Sequence, residues 1–462
     1  MGALLLTGCS VGPNYHTPKA AMPAHWAEAG REISTNRAEL TEWWKRFDDP
    51  MLDSLVERAI KANYDLKAAE ARLRAGRALR GAALADFLPT VDATASYTKA
   101  RRSQNALAFP VRLIDTETYE LGFDATWEID VFGGKRRALE AANADLQAIE
   151  EDRRGVWVSL LAEVARNYVE LRGTQRRLEI ARQNLRAQQE ALDIAQQRVN
   201  VGLASELDVA QAKAVVASTQ AQVPSLETAL QQFTHRLSIL LGQPPGALQA
   251  ELQKQGSIPS TPPELPAGLP SDLLERRPDV RRSERQLASA TARIGVAEAE
   301  LFPKFSLLGT AGLQSLGVGN LISAKSEFWN VGPSVRWRML EYPRLRAQIN
   351  AQTAQQEQVL AQFQQTVLLA LEDVENALVA YGKEKERASA LNEELQANRR
   401  ALDLASQIYT AGRGEFLNVI EAERSLYQAE DAFVQSQRAV TLNLVALYKA
   451  LGGGWDSASE TE

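Results

Sequence analysis

Two stretches of this chain, VNVGLASELDVAQA at residues 199–212 and YTAGRGEFLNVIEA at residues 409–422, are versions of one turn. At an offset of 210 residues, the aligned identities are Gly202 with Gly412, Leu207 with Leu417, Val209 with Val419 and Ala212 with Ala422. The same offset pairs Trp127 with Trp337, and Leu241-Gly242 with Leu451-Gly452. Landmarks repeated in one order indicate a duplicated unit, so we interpret the whole chain as an internal two-fold sequence repeat.

Composition excludes several classes of function. The chain has 462 residues and a net charge of −6, which argues against nucleic acid binding through a basic surface. It has one cysteine and three histidines, too few for most metal centres or Cys- and His-based catalytic sites. We therefore expect no catalytic residues, no metal, no cofactor and no nucleic acid partner.

The single cysteine follows a short apolar run. The segment Leu6-Thr7-Gly8-Cys9 resembles a bacterial lipobox, in which a signal peptidase cuts before a cysteine that is then acylated. Ser10 follows it rather than the aspartate that retains such proteins in the inner membrane. We therefore interpret Cys9 as the site of a lipid that anchors the protein in the outer membrane. A chance cysteine near the start is the alternative.

Four segments alternate between apolar and polar residues, which predicts strands at about 90–99, 119–130, 304–314 and 328–339. On the second of them, Glu120, Asp124 and Glu128 share one face, and apolar side chains share the other. Ten-residue strands with alternating faces and interfacial aromatic residues are typical of transmembrane β-barrels. A soluble sandwich of amphipathic strands is the alternative.

Heptad spacing of apolar residues predicts long helices that pack side by side. We expect helices at 52–62, 65–86, 135–200, 205–241 and 415–451. The predicted division of the chain is a signal segment at 1–9, a tether at 10–51, a first repeat at 52–242, a Pro-rich extended linker at 243–278, a second repeat at 279–452 and a tail at 453–462. Each predicted repeat then contains two strands and one long helix in the same order.

Four strands cannot close a barrel, and an open sheet in lipid leaves unpaired backbone groups at its edges. Two chains would supply eight strands, whose interior side chains fill, whereas three would supply twelve and leave a pore. The prediction is a trimer with a 12-stranded barrel. Its lumen would be lined by the polar residues of the strands, which are Glu120, Asp124, Glu128, Arg336 and Arg338.

Several motifs resemble those of one family. They are Leu6-Thr7-Gly8-Cys9, Val11-Gly12-Pro13-Asn14-Tyr15, Trp43-Trp44 with Asp49-Pro50, Asn63-Tyr64-Asp65-Leu66, Arg276-Arg277-Pro278-Asp279 and the two turns at Gly202 and Gly412. The chain resembles the TolC-like outer-membrane factors, and more closely the NodT-type lipoproteins among them.

The resemblance implies a mixed α and β membrane protein, in which a homotrimeric tunnel has a barrel in the outer membrane continued by a long α-helical coiled-coil barrel across the periplasm. It also implies docking on a periplasmic adaptor and an inner-membrane RND-type pump. By resemblance, a closed periplasmic gate would involve Asn418 and Glu421 in the second repeat, and Tyr409 paired with Asp208. Gly414 occupies the position of the family's gate arginine, with Arg413 beside it.

The function expected from these features is a passive exit duct, driven by a partner pump, for small toxic compounds. Gly133-Gly134-Lys135 lacks the remaining residues of a phosphate-binding loop, so the energy has to come from the partner. The alternatives are the outer-membrane component of a type I protein secretion system and a non-conducting periplasmic coiled-coil scaffold. An enzyme is not expected.

Overall fold

The computed structural model describes residues 10–20, 22–27, 33–34, 40–101, 103, 115–260, 265–266, 268 and 270–455. The predicted lipidation site at Cys9 and most of the predicted tail lie outside these residues. The helices among them are α1 Pro50–Ala62, α2 Tyr64–Ala85, α3 Gly134–Asn200, α4 Glu206–Leu240, α5 Gln249–Leu252, α6 Leu273–Arg276, α7 Pro278–Ala299, α8 Tyr342–Thr410 and α9 Phe416–Ala450. The strands are β1 Ile33–Ser34, β2 Thr90–Ala100, β3 Thr116–Ile129, β4 Leu265–Pro266, β5 Lys304–Ser315 and β6 Glu327–Arg336.

The described chain is therefore mostly helical with one four-stranded sheet. Helices α3 and α8 contain 67 and 69 residues, which at 1.5 Å per residue makes each roughly 100 Å long. None of the helices described combines the length and apolar character needed to cross a membrane.

The chain divides into two compact units. The first comprises residues 1–19, 72–150 and 282–364, and the second comprises residues 20–71, 151–281 and 365–462. The first unit contains the four-stranded sheet, and the second contains the two turns at Gly202 and Gly412.

In the first unit, strands β2, β3, β5 and β6 form an antiparallel sheet in that order. Directly paired residues lie on the same face of a sheet. Ala93, Phe123, Ala311 and Trp329 form one such apolar row across all four strands. Trp329 is 77% exposed, so the apolar face of this sheet is open in a single chain.

Pro333 lies in β6, where it pairs with Leu307 of β5. Proline cannot donate a ladder hydrogen bond and is confined mainly to edge strands. Strand β6 is an edge of the sheet within the described residues of a single chain, a position where proline is tolerated.

Residues 337–341 turn away from the sheet, so the strand predicted at 328–339 ends earlier, at Arg336. The Trp337 indole N–H donates to the Leu301 carbonyl at 2.9 Å, and a short 3₁₀ helix follows at Met339–Glu341. Arg338 therefore lies beyond the strand, and its place in the barrel lumen stays a prediction.

In the second unit, the aromatic residues of the predicted tether form part of the core. Trp43, Trp44 and Phe47 lie in a 3₁₀ helix and are buried. The Trp43 ring stacks on Tyr448 of α9, with the ring centroids 5.0 Å apart. Asp49 then caps α1 by accepting from the Met51 and Leu52 amides, with Pro50 at the first helical position.

The Arg276-Arg277-Pro278-Asp279 motif connects the linker to α9. Arg277 is buried and donates to the Ala450 carbonyl at 3.1 Å and to the carboxylates of Asp279 and Asp373 at 2.7 and 2.9 Å. Burial would raise the pKa of Asp279, but its pKa is lowered because the Arg277 guanidinium outweighs that effect. The linker was predicted to be extended, yet it also contains α5 and α6.

Gly122 and Gly312 face each other across β3 and β5. A Cβ atom on Gly312 would lie 2.4 Å from the Leu121 carbonyl oxygen and 2.7 Å from the Gly122 Cα atom, and both of these are backbone atoms. No side chain can fit at Gly312 unless the two strands separate.

We predict that Gly312→Ala lowers the free energy of unfolding by about 1–3 kcal/mol, because overpacking forces the backbone apart. Gly332→Ala on β6 is the matched control, since a Cβ atom there meets nothing within 4 Å. Thermal unfolding followed by circular dichroism in detergent compares the two variants. Equal destabilisation would contradict the close-approach argument.

Candidate functional site

The two turns have the same backbone conformation. Gly202 has φ +74° and donates its N–H to the Val199 carbonyl, while Gly412 has φ +70° and donates to the Tyr409 carbonyl, both at 3.0 Å. The next amide in each turn, that of Leu203 or Arg413, donates to the carbonyl group five residues earlier, at 2.8 and 3.1 Å respectively. These are the two hydrogen bonds of a Schellman motif, which needs glycine for the left-handed residue. We call residues 199–205 the first turn and residues 409–415 the second turn.

The first turn ends in a capping box. The Ser205 hydroxyl oxygen accepts from the Asp208 amide at 3.3 Å, and Asp208 Oδ2 accepts from the Ser205 amide at 3.0 Å. This reciprocal pair satisfies two of the free amides at the start of α4. At the matching position of the second turn, Glu415 makes no side-chain capping bond.

An aromatic stack stands behind the second turn. The Tyr409 ring lies 5.2 Å from the Phe416 ring, and the Arg198 guanidinium lies 4.2 Å from the centre of the Tyr409 ring on another side. Such a cation–π contact contributes about 0.5–1 kcal/mol at an exposed site and more when it is desolvated. The cation beside Tyr409 thus comes from the first repeat, and not from Arg413.

An apolar cluster supports both turns. Its buried members are Ala195 of α3, Ala212 of α4, and Phe416, Val419 and Ile420 of α9. Leu402, Ala405 and Tyr409 of α8 pack against it. The cluster therefore holds four helices together just behind the turns.

The predicted gate residues Asn418 and Glu421 are both exposed on α9. Glu421 forms an ion pair with Arg424 at 3.0 Å, one turn further along the same helix. Its charge is therefore partly balanced within the chain. The exposure of both ions keeps this pair weak.

Tyr409 and Asp208 were expected to form a hydrogen bond. Within the described residues of one chain, the Asp208 carboxylate caps α4 and Tyr409 stacks between Arg198 and Phe416. The Tyr409–Asp208 bond stays a prediction for contacts between copies of the chain. Ser205 could have been found from its spacing to Asp208, whereas nothing in the sequence pointed to Arg198.

The first turn and the start of α4 present apolar side chains to solvent. Val201, Leu203 and Leu207 are 68%, 75% and 64% exposed. Leu417 at the start of α9, which matches Leu207 at the 210-residue offset, is exposed as well. Contiguous exposed apolar residues usually mark a surface that another molecule covers.

On the sheet, three of the predicted lumen residues share the polar face of β3. Glu120 accepts from Gln314 Nε2 at 3.2 Å, and Asp124 accepts from the Thr94 hydroxyl at 3.2 Å. Asp124 also lies directly opposite Asp92 of β2. The face is therefore acidic and hydrogen-bonded across strands.

The remaining predicted lumen residues lie towards one end of the sheet. Glu128 is paired with Ser306, and Arg336 is paired with Lys304 at the end of β6. Arg338 lies outside the strand, and its guanidinium is 3.6 Å from Glu300 Oε2. The other four predicted lumen residues lie within β3 and β6.

A family model described as outer membrane efflux protein matches residues 55–243 and 269–453. These ranges include the sheet and both turns, and they cover most of the chain. The chain belongs to the outer membrane efflux protein family. Like the proteins of this family, it is a protein of the outer membrane.

Two curated relatives of this efflux protein match along their whole length. Nodulation protein T of Rhizobium leguminosarum bv. trifolii is 32% identical over 99% of this chain and 97% of its own. The pyoverdine export outer membrane protein OpmQ of Pseudomonas aeruginosa is 36% identical over 98% and 96%. Neither is described as an enzyme.

A solved structure shares the fold. The outer-membrane channel OprN has a TM-score of 0.91 and 40% identity, over 97% of this chain and 100% of its own. This efflux protein therefore has the fold of a known outer-membrane channel.

We predict that Ser205→Ala destabilises the start of α4 by about 1 kcal/mol, since it removes the N-cap acceptor. Glu415→Ala at the matching position of the second turn is the control, because Glu415 has no capping bond to lose. Hydrogen exchange of the first-turn amides of α4 and α9 measures both. Faster exchange of equal size in the two variants would contradict the capping assignment.

Proposed function

We propose that three copies of this chain form a passive exit duct through the outer membrane. The observation that carries the proposal is the four-stranded sheet, which has an apolar face, an acidic face and two edges among the described residues. An apolar outer face suits lipid, and a polar inner face suits a water-filled lumen. Pairing β6 of one copy with β2 of the next would satisfy the edge groups that lipid cannot.

Three copies fit the side chains better than two. Twelve strands leave an open lumen, whereas eight leave space that side chains fill. Glu120, Asp124 and Glu128 are charged side chains that need water, so a filled interior would leave them desolvated. The lumen of the proposed duct is lined by these residues and by Arg336.

The two turns form the proposed periplasmic mouth of the duct. Asn418 and Glu421 would narrow it, and Tyr409 and Asp208 would hold neighbouring helices in the closed state. Glu421 brings one carboxylate per copy, so cations would be favoured at a narrow mouth. Arg424 lies 3.0 Å from that carboxylate and would moderate the preference.

Partner proteins supply the energy in this proposal. The exposed apolar side chains at Val201, Leu203 and Leu207 are suited to docking of a periplasmic adaptor. The adaptor would link the duct to an inner-membrane pump of the RND type. Small toxic compounds are the proposed cargo, in keeping with OpmQ, whose name gives it pyoverdine export.

A lipid on Cys9 would reinforce membrane attachment. Ser10, the next residue, lies against Gly133, where an added Cβ atom would come within 2.8 Å of the Ser10 Cα atom. Val11 donates its N–H to the Phe132 carbonyl at 3.1 Å, shortly after β3 ends. The acyl chain would therefore start close to one end of the sheet.

Single-channel conductance of the purified protein in planar lipid bilayers tests the duct. We expect cation-selective openings in the wild type. Glu421→Ala should lower the cation preference by up to about fivefold, because a charge at about 4 Å in water is worth roughly 1 kcal/mol.

Arg424→Ala is the matched variant and should raise the cation preference, since it frees the Glu421 carboxylate. If neither the wild type nor the variants conduct, the duct proposal fails, and the result favours the non-conducting periplasmic scaffold. If conduction is insensitive to both substitutions, the duct stands and its constriction lies away from Glu421.

A further inference from the structure

A polar layer interrupts the apolar seam between α3, α4 and α9 in the second unit. Ala195 and Ala212 belong to the apolar cluster behind the turns, and Ala181 and Leu226 belong to a second apolar cluster. Helices α3 and α4 are antiparallel, and these residues are spaced by fourteen positions on each. Gln188 lies halfway between Ala181 and Ala195 on α3. Thr219 lies halfway between Ala212 and Leu226 on α4, again seven residues from each.

Both residues are in the interior. Gln188 is 4% exposed and Thr219 is 3% exposed. Because heptad neighbours lie on one face of a packed helix, Gln188 and Thr219 occupy the same level of the seam. The Gln188 Oε1 atom is buried and has no hydrogen-bond partner within the described residues.

Helix α9 contributes a carboxyl group to this level. Ile420 is buried in the cluster behind the turns, and Tyr427 is buried in the second cluster. Glu423 lies three residues after Ile420 and four before Tyr427, so it shares their buried face. Its position along α9 therefore corresponds to the level of Gln188 and Thr219, between the two clusters.

The surroundings of Glu423 favour its neutral form. It is partly buried, and burial raises its pKa to about 7. A protonated carboxyl can donate a hydrogen bond to an amide oxygen such as Gln188 Oε1, whereas a carboxylate can only accept. Ionisation would place a charge and an unsatisfied acceptor side by side in the seam.

Nearby charges are exposed to water instead of facing the layer. The charged residues around this level are Arg186 and Glu190 on α3, Lys213 on α4, Arg399, Arg400 and Asp403 on α8, and Glu421 and Arg424 on α9, and all eight are exposed. On α8, Arg400 pairs with Asp403, and Arg399 pairs with Glu430. Within the described residues, none of these cations pairs with Glu423.

We propose that Gln188, Thr219 and Glu423 form a proton-controlled latch that fixes α9 against α3 and α4 behind the turns. With the carboxyl protonated, the layer is satisfied and α9 packs closely. Loss of the proton loosens α9 at this level. Only one consequence rests on the proposed duct, namely that the mouth opens more readily as the surrounding pH rises.

The direction of the pH dependence follows from proton linkage. The packed state holds its proton up to about pH 7, whereas an unburied glutamate has the ordinary pKa of 4.5. The latch therefore contributes its full stability below about pH 4.5, loses it as the pH rises to about 7, and is constant above that. Over this window the local opening equilibrium changes by up to about tenfold per pH unit.

Hydrogen exchange of the full-length protein in detergent measures that opening at the amides of residues 421–427, after correction for the intrinsic pH dependence of exchange. Wild-type opening should rise steadily from about pH 5 to about pH 7 and then level off. Glu423→Gln keeps a neutral donor for Gln188 and should open independently of pH. Glu190→Gln, which changes an exposed carboxylate on α3 at the same level, should behave as the wild type.

Identical pH dependence in the wild type and Glu423→Gln would overturn the latch, as would its loss in Glu190→Gln. Infrared difference spectra provide a second measurement if Glu423→Gln does not fold. A protonated carboxyl band that disappears around neutral pH, and that shifts in Gln188→Leu, supports the latch. A wild type without such a band, or a band unmoved in Gln188→Leu, contradicts it.

Discussion

The unpaired backbone edges of one small sheet impose the strongest constraint on this protein. Strands β2 and β6 border the sheet in the described chain, and each has backbone amide and carbonyl groups that need partners. Water can satisfy those groups, but lipid cannot. The apolar face, which contains Phe123 and Trp329, favours lipid, and the proposed assembly of three copies would supply the missing strand partners. Assembly is therefore the main requirement that the proposed function places on the sheet.

A second constraint operates at the turns. The chain has to reverse direction after each long helix while the last carbonyl groups of that helix stay hydrogen-bonded. Gly202 and Gly412 make this possible. The two turns differ in what surrounds this shared backbone. The first has a capping box at Ser205 and Asp208, and the second has the tilted ring contact of Tyr409 and Phe416. The two turns thus share their backbone geometry and differ in their side-chain contacts.

Much of the fold could be predicted because its signals are local. Alternating residues mark β3, and a proline at the start of α1 marks its first turn. Contacts between distant residues left no comparable signal. The Arg198 guanidinium lies over the Tyr409 ring across 211 positions of sequence, and the Trp337 indole bonds to the Leu301 carbonyl just beyond the end of β6. The buried layer at Gln188 is equally hard to foresee, since a heptad pattern predicts apolar residues there.

The number of chains in the assembled protein tests the central claim most directly. Native mass spectrometry of the detergent-solubilised protein gives that number without any assumption about function. Closure of the sheets into a twelve-stranded barrel predicts a complex of three chains, each of 50.8 kDa over all 462 residues and lighter by residues 1–8 where cleavage precedes Cys9. A complex of two chains, or a stable single chain with its sheet intact, would contradict closure between three copies.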